Sequence, residues 1–231
     1  MSRKICNQCL RPEVACICAF ISPVNNTIDV VVLQHPGEVS QAKGTVALLS
    51  RSLRSCQVIV GEDFSRNIAL NDVLKQYQGL LLYPSEKSIV LTEHYLSMRN
   101  EEALKGKGFI NTDVKPYCLI ILDGTWKKAY RMLMLCQQLQ QLPQICLPDS
   151  LAQAGQYKIR KVAKRNALSS LEACCYALSL LESHSDDICK SEVLDKNENE
   201  NEITSLTKYH ELMKGFLAFN EFQLSFRPAA K

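Results

Sequence analysis

The sequence predicts an α/β fold: a largely parallel sheet with helices on both faces, plus a small cysteine-rich knuckle at the N-terminus. Three observations carry this. Five short apolar runs recur along the chain, each bounded by polar or turn residues, as expected of strands covered on both faces. Stretches with helical apolar spacing lie between them, and strand–helix alternation favours a parallel sheet. Four cysteines crowd into the thirteen residues from Cys6 to Cys18.

The predicted strands are Ile28–Leu33, Cys56–Val60, Gly79–Tyr83, Tyr117–Leu122 and Gln144–Leu147. Helices are expected over Gly44–Ser55, Asn71–Gln78, Trp126–Gln140 and Ser170–Leu181. In the third, Ala129, Met132, Leu133, Cys136 and Leu139 repeat at helical spacing and leave Lys127, Lys128 and Arg131 off the apolar stripe. The fourth opens with Ser169 followed by Glu172, a capping-box pattern, and its apolar face is Leu171, Cys174, Cys175, Leu178 and Leu181. The expected organisation is a knuckle over residues 1–24 and an α/β domain over 25–182. An acidic, mobile linker over 183–204 and a helical extension over 205–231 complete it.

With 231 residues, 46% hydrophobic and 22% charged, the chain is long enough for one sizeable core. No apolar run approaches the ~18–20 residues of a membrane span. Met1 to Cys6 has no hydrophobic signal region, so a cytoplasmic protein is expected, with its eleven cysteines reduced. Cys118, Cys136, Cys174 and Cys175 read as small core residues. The net charge of +3 hides an asymmetry: without the two lysines and eight acids between Glu182 and Glu202, 25 basic and 16 acidic residues remain, a net of +9. Such a body suits a polyanionic partner or an ordinary solvated surface.

Cys6-x-x-Cys9 and Cys16-x-Cys18 are two close pairs that can complete a tetrahedral zinc shell, joined by a turn at Pro12. A closed four-thiolate shell holds structure and leaves no position for a reactant. Reduced surface thiols and a redox centre are the competing readings.

The chemistry therefore lies elsewhere, in three strings. Gln34, His35, Pro36, Gly37 and Glu38 follow the first strand, and ligands of α/β sheets collect where strands end. Asp123, Gly124, Thr125 and Trp126 end another strand and start a helix. Asp123 or Thr125 could cap that helix, yet a carboxylate beside the only tryptophan and a basic helix face also suits a nucleobase with its phosphates. Tyr157 to Ser169 is the densest basic stretch, suited to phosphate or a ligand carboxylate.

The string Asp123 to Trp126 resembles the signature of DTW-domain proteins, which are similar to knotted, SPOUT-like S-adenosylmethionine enzymes. The runs Leu33–Glu38 and Tyr157–Lys161 with Asn166–Ala173 resemble that family's other motifs, and the paired cysteines its zinc knuckle. The resemblance spans about Cys6 to Leu181. It implies a C-terminal trefoil knot and a tRNA-uridine aminocarboxypropyltransferase, with structural Zn²⁺ on Cys6, Cys9, Cys16 and Cys18. Asp123 is then the expected base, His35 the second candidate, and Thr125 and Trp126 would orient the uracil. S-adenosyl-L-methionine is expected against Gln34, His35, Pro36, Leu147, Asn166, Leu168 and Ser169, with its carboxylate on Arg160 or Lys161. Lys127, Lys128, Arg131, Lys158, Lys164 and Arg165 are the expected tRNA contacts. A methyltransferase on the same type of sheet, and a non-catalytic zinc-containing RNA-binding protein, are the rival readings.

Overall fold

The alternating apolar runs fold into strands that share a single direction. The computed structural model describes residues 4–92, 115–152, 168–186 and 198–226. Strands β1 (Asp29–Gln34), β2 (Cys56–Val60), β3 (Gln78–Leu82), β4 (Ile89–Val90), β5 (Tyr117–Asp123) and β6 (Gln144–Cys146) form one sheet in the order β2-β1-β5-β3-β6-β4. Every pairing is parallel. The five predicted strands are present within a residue or so of their expected ends. β4 was not anticipated, because two residues carry too little pattern to read.

Side chains of successive strand residues enter opposite cores, as a two-residue period requires. Val30 and Val32 of β1 and Leu119 and Ile121 of β5 join one core, with helices α2 (Val46–Ser52), α7 (Ser170–Asp186) and α8 (Glu198–Ser225). Val31 and Leu33, with Cys118, Ile120 and Leu122, join the other, against α3 (Ile68–Gln76), α4 (Trp126–Leu135) and α5 (Gln137–Gln140), and the short α6 (Asp149–Ala152) follows β6. Burial of each such Val, Leu or Ile contributes about 1.5–3 kcal/mol. Helices on both faces are thus observed, while the described residues do not show the knot that the resemblance implies.

All four expected helices differ at one or both ends: Gly44–Ser55 shortens to Val46–Ser52, and Asn71–Gln78 is found at Ile68–Gln76, started by Asn67, whose side chain accepts the Leu70 amide. The helix expected over Trp126–Gln140 breaks at Cys136, whose φ/ψ of −117°/102° turns its side chain into the core. Ala129, Met132, Leu133, Cys136 and Leu139 are all buried nonetheless, so the apolar spacing survives the break. α7 runs on to Asp186 and α8 starts at Glu198, so both ends of the expected acidic linker are helical. Between them, residues 187–197 lie outside the described residues.

Parallel strands place all their carboxyl ends at one edge of the sheet. Gln34, Val60, Leu82, Val90, Asp123 and Cys146 are those ends, so the segments beginning at His35, Gly61, Tyr83, Leu91, Gly124 and Leu147 emerge together. A cleft lined by Leu74, Tyr77, Gly79, Lys115 and Pro143 lies instead at the opposite edge and holds none of the expected site residues.

Candidate active site

Register brings the first two motifs together. Gln34 ends β1 directly opposite Asp123 at the end of β5. Asp123 is only 9% exposed, and its Oδ2 accepts the Gln34 amide at 2.9 Å. Its Oδ1 accepts the Ser170 hydroxyl at 2.6 Å, from the first turn of α7. One carboxylate therefore ties β1, β5 and α7 together, and each of its oxygens keeps further acceptor capacity. Ser170 was missed by a reading that stopped at the capping residue before it.

The capping assignments are now separable. Thr125 is the N-cap of α4, its hydroxyl accepting from the Lys128 amide, which leaves Asp123 outside the cap. Ser169 and Glu172 form the reciprocal capping box: Glu172 accepts from the Ser169 amide at 2.7 Å and donates its own amide to the Ser169 hydroxyl. Both residues are buried.

His35 caps the short helix α1 (Pro36–Val39), its Nδ1 accepting from the Gly37 amide at 3.0 Å. That bond assigns the proton to Nε2, which faces Glu62 Oε1 at 3.5 Å. Glu62 also receives Arg131 Nε at 2.8 Å. Lys128, expected on the open basic face, instead reaches back 2.9 Å to Glu38 Oε1, whose side chain is 5% exposed. A Cβ at Gly37 would meet that ammonium at 2.9 Å, and one at Gly124 would meet Lys128 Cβ at 3.0 Å. The lysine end can move aside at Gly37, whereas at Gly124 the crowding comes from the first turn of α4, with His35 Cβ in ordinary contact at 3.6 Å. Glu38 ends the first motif, but its pairing with Lys128 has no sequence signal, and Glu62 has none at all, since their partners lie far away along the chain.

Trp126 and Lys127 stand exposed at the start of α4. The Trp126 ring meets the edge of Tyr83 at 6.2 Å. Leu147 is buried, and Leu168 packs half-buried against the same core. Pro36 is exposed at the first position of α1. Lys158, Arg160, Lys161, Lys164, Arg165 and Asn166 lie outside the described residues.

In the knuckle, the Sγ atoms of Cys6, Cys9, Cys16 and Cys18 all lie within 4.8 Å of one another. Cys6–Cys18 and Cys9–Cys16 are each 3.7 Å apart. Tetrahedral zinc with Zn–S of ~2.3 Å needs S···S of about 3.8 Å, so the donor set fits that metal. Against the desolvation that burial imposes, backbone N–H groups of Ile17 and Arg11 bring the Cys9 thiol down to about 6. Desolvation and the neighbouring thiols Cys16, Cys6 and Cys9 push Cys18 up to about 12. Four thiols this close share negative charge poorly without a cation.

The DTW domain matches residues 3–224. The chain belongs to the DTW-domain family. Among curated relatives, it is 31% identical over 186 residues to tRNA-uridine aminocarboxypropyltransferase 2 of Macaca fascicularis, covering 78% of this chain and 57% of that one. The protein of the same name from Mus musculus is 32% identical over 187 residues, with the same shares. That of Drosophila melanogaster is 32% identical over 188 residues, covering 78% of this chain and 68% of the other. The chain spans little more than half the length of the two mammalian relatives. No solved structure matches it. In this DTW-domain chain Asp123 to Trp126 form the end of β5 and the start of α4, and the turn at His35 meets them, its amide donating to the Asp123 carbonyl at 3.0 Å. Among the described residues no helix is long and apolar enough to cross a membrane.

Proposed function

We propose that this chain transfers the 3-amino-3-carboxypropyl group of S-adenosylmethionine to N3 of a uridine in tRNA, releasing methylthioadenosine. The observation that supports this most is the meeting of three motif segments on the Asp123 carboxylate, in a chain whose family relatives carry that activity in their names.

The described residues suit such a donor. Asp123 puts a buried carboxylate at the strand ends, where a sulfonium is welcome, and Leu147 and Leu168 offer apolar surface, while Glu38 and Glu62 are engaged by Lys128 and Arg131. The bound donor supplies an activated Cγ carbon whose leaving group departs as a neutral thioether. Gln34 and Ser170 hold Asp123 in place, and Asp123 takes the N3 proton of the uridine. The N3 lone pair then forms the N3–Cγ bond as the Cγ–S bond breaks, its electron pair remaining on sulfur. Such positioning supplies on the order of 7–11 kcal/mol, and the base about 10²–10⁴-fold. Thr125 sets the direction of α4, and Trp126 presents an exposed ring to the uracil. Lys127 and Arg131, with Lys158, Lys164 and Arg165, are proposed phosphate contacts; Arg160 or Lys161 is proposed for the donor carboxylate. Lys128 contributes through Glu38. Zn²⁺ on the four cysteines is proposed as structural.

Incubation with bulk tRNA and labelled S-adenosylmethionine, followed by digestion to nucleosides, tests the reading. Uridine carrying the aminocarboxypropyl mass, with methylthioadenosine as by-product, is expected. A methyl increment with S-adenosylhomocysteine would convert the chain to a methyltransferase, and no increment would overturn transfer altogether.

A further inference from the structure

Two large aromatic rings stand in solvent beside the Asp123 turn. Trp126 and Tyr130 are each 56% exposed and lie one helical turn apart, so they share a face of α4. Tyr83, just beyond the end of β3, closes the group by presenting its ring to Trp126 at 6.2 Å and 68°. Single exposed apolar residues are ordinary, but a contiguous group beside a functional edge marks a contact surface. Cations flank it: Lys127 is exposed, and Arg131 is 64% exposed while bonded to Glu62. An aromatic surface bordered by cations matches an unpaired RNA base, whose face stacks while its phosphates meet the charges.

We propose that Tyr83 and Tyr130 extend the Trp126 ring, which takes the target uracil, into a stacking surface for the unpaired base next to that uridine. The inference rests on the tRNA reading and narrows it: the target lies in a segment whose neighbouring base can leave its stack. Tyr130 lies outside the Asp123–Trp126 string and takes no part in the proposed transfer step. It extends the platform beyond the single ring of Trp126. Burial, and then the nearby Tyr130 phenol, raise the Tyr83 hydroxyl above its usual pKa.

Trp126 is the chain's only tryptophan, so its fluorescence reports on this surface alone. Titration with an unmodified tRNA transcript at fixed salt is expected to quench it. Tyr130→Ala should weaken transcript affinity roughly 5- to 150-fold, the span that alanine replacement of a stacking ring produces. Tyr130→Phe should stay within about twofold, and S-adenosylmethionine affinity should be unchanged in both. Absent quenching, a Tyr130→Ala affinity within about twofold of the parent, or an equal loss in Tyr130→Phe would overturn the surface. So would a Tyr130→Ala protein that loses self-association in sedimentation but keeps transcript affinity, which would assign the face to a second copy. The two readings fail separately: binding loss without any aminocarboxypropyl mass sinks transfer alone, and normal transfer with unaltered Tyr130→Ala binding sinks the surface alone.

Discussion

The Ser170 hydroxyl donates to Asp123 Oδ1 at 2.6 Å across 47 positions of chain. A strand end and a helix start are thereby fixed on one carboxylate, which Gln34 holds from the other side at 2.9 Å. The arrangement separates two jobs of Asp123, holding the edge together and accepting a proton.

Substitutions should separate them too. Ser170→Ala removes one hydrogen bond to a charged group and should cost about 1.5–3 kcal/mol in urea unfolding. Its turnover should fall through misplacement, with Ser170→Thr recovering most of it. Asp123→Asn keeps the shape but not the base, and single-turnover release of methylthioadenosine should fall about 10²–10⁴-fold. Near-normal release would remove Asp123 from proton transfer.

What the sequence made legible follows the range of each interaction. β1 and β5 were readable because a buried parallel strand is a continuous apolar run, and Ser169–Glu172 because a capping box spans three residues. Strand order was not readable, since runs such as Val30–Leu33 and Leu119–Leu122 are chemically alike and nothing in either names its neighbour. The site divides the same way. Asp123 and His35 stood out at strand ends, whereas Lys128 paired with Glu38, ninety positions away, is a fact of the fold alone. Basic spacing on α4 placed Lys128 with Lys127, but proximity to a buried carboxylate overrides a surface pattern.

The knuckle should contain one zinc per chain by elemental analysis of freshly purified protein, with Cys6 slow to alkylate until a chelator is added. Leu10 adds a finer test. Its φ of 59° is left-handed, a conformation glycine adopts without the cost of a Cβ, and its side chain is 72% exposed. Leu10→Gly should therefore bind zinc at least as tightly and stabilise the knuckle by up to about 1 kcal/mol. A clear loss of zinc affinity in that variant would show that the Leu10 side chain, and not the backbone, matters there.

Alkaline pH should unfold the protein earlier than a core of this kind otherwise would. Burial pushes the Cys56 thiol up to about 12, and burial with Asp29 and Cys56 nearby does the same for Cys118. Their folded values lie above the ordinary 9.0, so their contribution is complete below pH 9 and is lost as pH rises from 9 towards 12. For Cys118, fully buried, the slope approaches about 1.4 kcal/mol per pH unit. Urea midpoints at pH 8 and pH 10 under reducing conditions check it. Cys118→Ala should start lower but decline less, and an equal decline would remove Cys118 as the source.

Glu182, counted in sequence with the acidic stretch, is a buried clamp. Its Oε1 accepts the Thr27 and Ile28 amides at 2.6 and 3.1 Å, and its Oε2 accepts the Tyr209 hydroxyl at 2.8 Å and Lys208 Nζ at 2.5 Å. α7, the segment before β1 and α8 thus meet on one side chain. Tyr209→Phe should cost about 1–3 kcal/mol, and Glu182→Ala about 3–5 kcal/mol because it strands several donors at once. The double variant should be little worse than Glu182→Ala alone, since both remove the same contact. Additive losses in chemical denaturation would mean that the Tyr209 hydroxyl acts through a partner other than Glu182.

Gly215 on α8 sets propensity against space. In a helix interior, glycine to alanine ordinarily gains about 1 kcal/mol. Here a Cβ would sit 2.5 Å from the Phe20 carbonyl oxygen and 3.3 Å from Ser22 Oγ, and the Phe20 backbone continues directly from Cys18. The carbonyl cannot rotate aside as a long side chain can, so either α8 or the knuckle must shift, and overpacking of this kind costs about 1–3 kcal/mol. Crowding therefore outweighs propensity, and Gly215→Ala should lower the melting temperature while weakening zinc retention through Cys18. A rise in melting temperature with unchanged zinc content would mean that α8 does not hold this close approach in solution.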